Sequence, residues 1–189
     1  MSPNATILTT KRLSLRLPSP GDLDEYAPIF ADPEVMRYIG DGSLRSADRV
    51  ALSIERSVVL FEERSLGIFL VIERDSGAVL GDCLLVPIMR SGADPNEPRD
   101  RGPEIELGYR LCRSAWGKGY ATEAATALLH WALGNEGPRL REVIAVTYPQ
   151  NLASQRVLLK SGFRHEGQTE AFYNITAELF RASAHPDDR

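Results

Sequence analysis

Nine residues, Arg113-Ser114-Ala115-Trp116-Gly117-Lys118-Gly119-Tyr120-Ala121, join a strand-like segment to the strongest helical stripe in the chain. Successive backbone N–H groups in such a turn form a concave nest, and the helix start adds four unpaired donors. Glycines let the backbone approach a bound anion without a side chain in the way. Hydrogen bonds to a charged group contribute ~1.5–3 kcal/mol each, so several together can hold a diphosphate. The residues leave a second reading equally open, in which Gly117 and Gly119 only make a tight turn. Two better-known phosphate loops are excluded by spacing. A Walker loop would need glycine where Cys112 stands and Ser or Thr where Gly119 stands, and a dinucleotide fingerprint would need glycine at Thr122.

Other reactive residue types carry less. Asn151 precedes a helical pattern and suits its N-cap, a role worth ~1 kcal/mol. Cys112 lies at a strand end, where cysteine behaves as a small hydrophobe more often than as a nucleophile. The three histidines, His130, His165 and His185, have no spacing that suggests a metal or a triad, and no metal is expected.

The elements that must position these residues read as follows. Leu13-Ser14-Leu15-Arg16-Leu17 alternates strictly, as a half-buried strand does. Asp22-Leu23-Asp24-Glu25 resembles a capping box, and Pro28 predicts a short or kinked helix behind it. Ala47, Val50, Ala51, Ile54, Val58 and Phe61 form one helical stripe. Leu66 to Glu73 and Ala78 to Met89, split by Asp75-Ser76-Gly77, predict an antiparallel hairpin. Ser91 to Pro103 is a long breaker-rich loop, a candidate acceptor element. A strand over Glu104 to Cys112, a helix carrying Ala121, Ala124, Leu128 and Ala132, and a strand over Leu140 to Tyr148 follow. A helix over Asn151 to Ser161 and a hairpin, Phe163 to Thr169 with Ile175 to Ser183, complete the order. Hairpins mixed with one crossover imply an α/β (α+β) chain with a mixed, mostly antiparallel sheet of about seven strands and helices on both faces.

A chain of 189 residues suits one domain over 1–189, with a core of about 8–183 and a frayed tail over 184–189. Its hydrophobic and charged fractions, 43% and 25%, are those of a globular protein. The longest plainly apolar stretch, Leu66 to Ile72, is far below the ~20 residues of a membrane span, and no secretory signal opens the chain. Two cysteines form no framework, which suits the cytoplasm. The net charge of −4 and the scattered basic residues argue against nucleic acid as the main partner, and a homodimer is left open.

Glu106-Leu107-Gly108-Tyr109-Arg110-Leu111 followed by Trp116-Gly117-Lys118-Gly119-Tyr120-Ala121-Thr122-Glu123-Ala124 resembles the acetyl-coenzyme A motif of the GNAT superfamily of N-acetyltransferases. Asn151-Leu152-Ala153-Ser154, Lys160-Ser161-Gly162-Phe163 and Glu166-Gly167 resemble the second half of that domain. The opening Thr10-Lys11-Arg12-Leu13 and Asp32-Pro33-Glu34-Val35 are similar to the branch that includes enzymes acetylating the N-termini of ribosomal proteins. One departure stands out: Ser114 occupies a place where many members carry Gln or Arg, with Lys118 a partial replacement.

The resemblance implies acetyl-CoA as co-substrate, lying where the sheet splays between the strands ending near Cys112 and near Tyr148. Leu111, Cys112 and Arg113 would pair with the pantetheine arm in the manner of an added strand. Trp116, Gly117, Lys118, Gly119, Tyr120 and Ala121 would hold the pyrophosphate, and Asn151 would contact the arm. An amine, either a protein N-terminus or a small molecule, would attack directly without an acyl-enzyme, so alignment is the main task. Glu106 is the candidate base. In a regular strand it shares a face with Glu104, Gly108 and Arg110, and an ion pair with that arginine is its competing role. The tyrosine acid of many relatives is replaced by Leu158, and the branch points to Ser154 instead. A thiol of pKa ~8.5 leaves with little help. The competing classes are a non-catalytic acyl-CoA-binding regulatory domain and, against the loop spacings, a nucleotide-binding domain.

Overall fold

A computed structural model describes residues 6–91 and 104–184. Most of the long loop proposed from the sequence, residues 92–103, lies outside the described residues, as does most of the tail. Strand β1 (Thr6–Thr9) pairs antiparallel with β2 (Leu13–Arg16), whose alternation buries Leu13 and Leu15 completely. β1 brings the sheet to eight strands where about seven were expected. Its four residues show no alternation, because an edge strand with no fully buried side chain is under little pressure to have one.

The next segment bends early. Helix α1 (Leu23–Tyr26) stops before Pro28, a 3-10 turn runs over Ala27–Ala31, and α2 (Pro33–Met36) is capped by Asp32. Asp22 forms no box with Glu25. Its carboxylate instead receives the Ser19 amide at 2.7 Å and hydroxyl at 2.9 Å, one turn earlier than expected. Then come α3 (Ala47–Arg64), β3 (Gly67–Glu73) and β4 (Val79–Ile88), the last two an antiparallel hairpin as the Asp75-Ser76-Gly77 turn predicts. β5 (Glu104–Leu111) pairs with β4 along its full length, from Ile88↔Glu104 to Gly81↔Leu111.

Helix α4 (Tyr120–Leu133) carries the chain over to β6 (Glu142–Thr147), which lies parallel to β5. α5 (Leu152–Lys160), β7 (Arg164–Thr169) and β8 (Ala177–Ser183) follow, with β8 inserted between β6 and β7. Alternation along β3 assigns the two faces. Phe69 and Val71 join the cluster built on Ala124, Ala125, Leu128 and Ala132 of α4. Leu70 and Ile72 join Tyr26, Phe30, Val50 and Ile54 from the N-terminal helices. The helices therefore cover both faces, and the small residues of α4 let it lie close to the strands that flank the candidate site. Among the described residues no helix is long and apolar enough to cross a membrane.

Candidate functional site

The glycine turn is built for exposed backbone. Gly117 has φ +73° and Gly119 φ +81°, the left-handed region where a side chain costs ~1–2 kcal/mol. A Cβ added at Gly117 would meet nothing within 4 Å, so the turn is open on that side. The amides of Gly117, Lys118, Gly119, Tyr120, Ala121 and Thr122 have no acceptor among the described residues, and the first bond into the helix is Glu123 N–H to the Gly119 carbonyl. Six consecutive unpaired donors at the start of a 14-residue helix fit a diphosphate. Arg12 braces the turn from behind, donating to the Lys118 carbonyl at 2.9 Å. The Lys118 side chain is exposed and forms no hydrogen bond among the described residues.

β5 and β6 part company beside this turn. Their only paired residues are Glu106 and Ile144, and beyond that rung the edge of β5 facing β6 is open. Alternation sends Ile105, Leu107 and Leu111 into the α4-side core and leaves Glu106 and Arg110 buried on the other face, at 8% and 7% exposure. Arg110 does not serve Glu106. Its guanidinium grips its cross-strand neighbour Asp82 through two hydrogen bonds of 2.9 and 3.0 Å, and Tyr26 donates to the same carboxylate at 2.9 Å. The ring of Phe30 lies 4.6 Å from the guanidinium carbon. Glu106 is thus a buried carboxyl with no ion-pair partner among the described residues. The Tyr173 hydroxyl donates to its Oε2. Burial raises the Glu106 pKa to about 7, against the opposing influence of Tyr173, the Val146 amide and Arg110. A carboxyl of that kind is half ionised at neutral pH, which suits a general base.

On the opposite side of the gap, Asn151 caps α5 by accepting the Ser154 amide at 3.2 Å. The Ser154 Oγ lies 2.9 Å from the Tyr109 hydroxyl, which also reaches the Ser154 carbonyl at 3.0 Å. Burial pushes the Tyr109 pKa up, so its phenol stays protonated. When Tyr109 donates to the carbonyl, the Ser154 hydroxyl keeps its own proton to give. Glu106 and Tyr109, three residues apart on β5, therefore present a carboxyl on one face of the strand and hold the Ser154 hydroxyl on the other.

The remaining sequence candidates are placed less simply. The Leu111 carbonyl already accepts the Trp116 indole N–H at 2.7 Å, while half of the Trp116 surface remains exposed. Cys112 is half-buried, with its amide bonded to the Leu80 carbonyl on the β4 side and its sulfur 3.2 Å from the Ser114 hydroxyl. Arg113 is exposed and sits 3.6 Å from Asp32. The Tyr120 side chain turns into the fold, donating to Glu73 beneath the Arg12 guanidinium, so only its amide faces the turn. A surface groove beside Gly119 is lined by Lys11, Thr122, Thr126, His130 and Lys160.

Sequence reasoning missed Tyr109, Tyr173 and the Arg12–Glu123 brace. Tyr109 was visible in principle, since a strand with Glu106 inward on one face must show Tyr109 on the other. Nothing local marks Tyr173, whose contact with Glu106 spans 67 residues.

A family model described as an acetyltransferase (GNAT) domain matches residues 12–164. The uncharacterized N-acetyltransferase YoaA of Bacillus subtilis is 31% identical over 162 residues, covering 85% of this chain and 84% of that protein. The crystal structure of a GNAT-family acetyltransferase from Bacillus anthracis gives a TM-score of 0.73 at 20% identity, over 93% of this chain and 97% of the other. The ribosomal L7/L12 alpha-N-protein acetyltransferase RimL, solved in complex with coenzyme A, gives 0.74 at 16% identity, over 95% and 98%. At such identities the structural likeness establishes the fold.

Proposed function

The chain belongs to the GNAT acetyltransferase family, and on that premise we propose that it moves an acetyl group from acetyl-CoA to a primary amine by direct attack. The observation that carries this reading is the buried Glu106, with no cation paired to it among the described residues, at the rung between β5 and β6 where the gap opens. The unpaired amides of residues 117–122 would receive the pyrophosphate, and the open edge of β5 near Leu111, Cys112 and Arg113 would receive the pantetheine arm. Lys11 and Lys160 give the neighbouring groove a charge suited to further phosphate. Acetyl-CoA bound there would supply the acyl group as an activated thioester.

The protein's own residues then have three tasks. Glu106 accepts a proton from the incoming ammonium, directly or through water. Asn151 holds the start of α5 in place, and Ser154 offers a proton at Oγ toward the departing sulfur, its orientation set by Tyr109. Alignment of amine and thioester supplies the rest.

The pKa of Glu106 favours one acceptor class. A base of pKa about 7 faces an α-amino group of pKa ~7.7–8.0 with little deficit, but lysine at ~10.4 with one above three units. An α-amine, such as a protein N-terminus, is the better match, and the two free cysteines suit a cytoplasmic setting.

The test is calorimetric titration with acetyl-CoA followed by thiol release with a panel of peptides and small amines. Binding with release confirms the reading. Binding without release for any amine would assign the chain to a regulatory, non-catalytic role, and absence of binding would overturn the cofactor site.

A further inference from the structure

Tyr173 occupies an unusual backbone position. It has φ +58° and its neighbour Asn174 φ +54°, two consecutive non-glycine residues in the left-handed region. The cost is ~1–2 kcal/mol per residue, and such strain persists only where surrounding contacts over-determine it. Those contacts are present. Phe172 is 1% exposed, packed with Ile88 and Ile144 and bridged to Arg90. Ser91 closes the turn from the other side, its amide donating to the Ala171 carbonyl at 2.7 Å and its hydroxyl accepting the Asn174 amide at 2.9 Å. This strained and braced turn presents one phenol to one carboxylate, that of Glu106.

We propose that Tyr173 is a positioning residue for Glu106, its hydroxyl holding the carboxylate in a fixed orientation at the mouth of the β5–β6 gap. The inference rests on Glu106 being the base. Tyr173 is fit for the task because its own proton is secure: burial and the adjacent Glu106 charge both raise its pKa. The Val146 amide also reaches Glu106, but among the described residues no second side chain donates to it. On β5, Arg110 is committed to Asp82 of β4, whose carboxylate also accepts from Tyr26 of α1. The paired neighbours on β4 and β6 are the apolar Val86 and Ile144. A hydrogen bond to the charged form favours that form, so Tyr173 also keeps the buried carboxyl ionisable.

The experiment compares wild type, Tyr173→Phe and Glu106→Gln. Phe keeps the ring and the backbone demand while removing only the hydroxyl. In ¹³C-carboxyl NMR of the glutamate-labelled protein, the Glu106 signal is identified by its loss in Glu106→Gln. Its titration midpoint should move up by about one pH unit in Tyr173→Phe, with the fold retained by circular dichroism and acetyl-CoA affinity unchanged. In thiol-release assays with a free-N-terminus peptide as acceptor probe, the acidic limb of the rate should move in the same direction and activity should return as pH rises. An unmoved Glu106 midpoint in folded Tyr173→Phe overturns the inference. A Glu106→Gln protein with the wild-type rate profile overturns the base itself, whatever Tyr173→Phe does, so the two failures are distinguishable.

Discussion

Arg12 and Glu123 stand 111 residues apart and meet at 2.7 Å, Arg12 Nε donating to Glu123 Oε2. The same carboxylate accepts the Arg12 amide at 2.9 Å and the Thr10 hydroxyl at 2.6 Å. One glutamate on the first turn of α4 thus anchors the β1–β2 hairpin to the glycine turn. Burial alone would raise the Glu123 pKa, but the hydrogen bonds from Thr10 and Arg12 outweigh it and hold the carboxylate ionised.

Removing this brace should loosen the turn more than the fold. Arg12→Ala should cost about 1 kcal/mol of stability or less, because its side chain is 40% exposed. Its acetyl-CoA affinity should fall about five-fold, as a comparable loss of preorganisation implies. Denaturant melts and calorimetry on one preparation separate the two effects. An unchanged affinity would show that the turn is held without Arg12.

Gly119→Val is expected to act twice. A Cβ there meets only the Arg12 guanidinium, at 3.5 Å, so crowding is slight. The left-handed φ of +81° is the larger obstacle, costing ~1–2 kcal/mol. The variant should fold with a lower melting temperature, and calorimetry should show acetyl-CoA binding at least ten-fold weaker.

Glu106→Gln keeps shape and removes the charge. Its rate should fall ~10²–10⁴-fold near neutral pH and recover toward the amine's own pKa. Ser154→Ala should cost less, and its deficit should grow with pH, because the thiolate leaves well unaided. Steady-state rates across pH test both, and a pH-independent deficit for Glu106→Gln would assign that residue to structure.

The same carboxyl links stability to pH. Its folded pKa, about 7, lies above the ordinary value of 4.5. The folded state therefore binds the extra proton between those values, and stability present below the lower one is lost as pH rises through the upper. Integrated, the loss amounts to roughly 3 kcal/mol. Between pH 5 and 8, wild type should lose stability relative to Glu106→Gln by up to that amount in urea melts.

Asp82→Asn should be the most destabilising of these changes. It strips the charge partner from Arg110, which is 7% exposed, and breaking a buried pair costs about 3–5 kcal/mol. Thermal denaturation measures it, and a loss below about 1 kcal/mol would show that water or another group compensates Arg110.

Short-range pattern was sufficient for much of this protein. Period-two alternation marked β2, apolar runs split by Asp75-Ser76-Gly77 marked the β3–β4 hairpin, and Pro28 marked the break after α1. Asn151 announced α5, and the glycines of residues 117 and 119 marked the phosphate-like turn. Each of these depends on neighbours within a turn or two, where backbone sterics and local hydrogen bonds act. The family resemblance read from the motifs was likewise carried by contiguous residues. Tertiary structure decided what distance conceals. Arg110 had two carboxylates within reach, and only the β4–β5 register, which sets Asp82 directly opposite, gave it to one and left Glu106 unpaired. Tyr173 reached Glu106 because β8 inserts between β6 and β7, folding the turn that joins β7 to β8 back toward β5 and the end of β4. Burial is a property of the assembled sheet, so the raised pKa of Glu106 exists only once β4, β5 and β6 have come together.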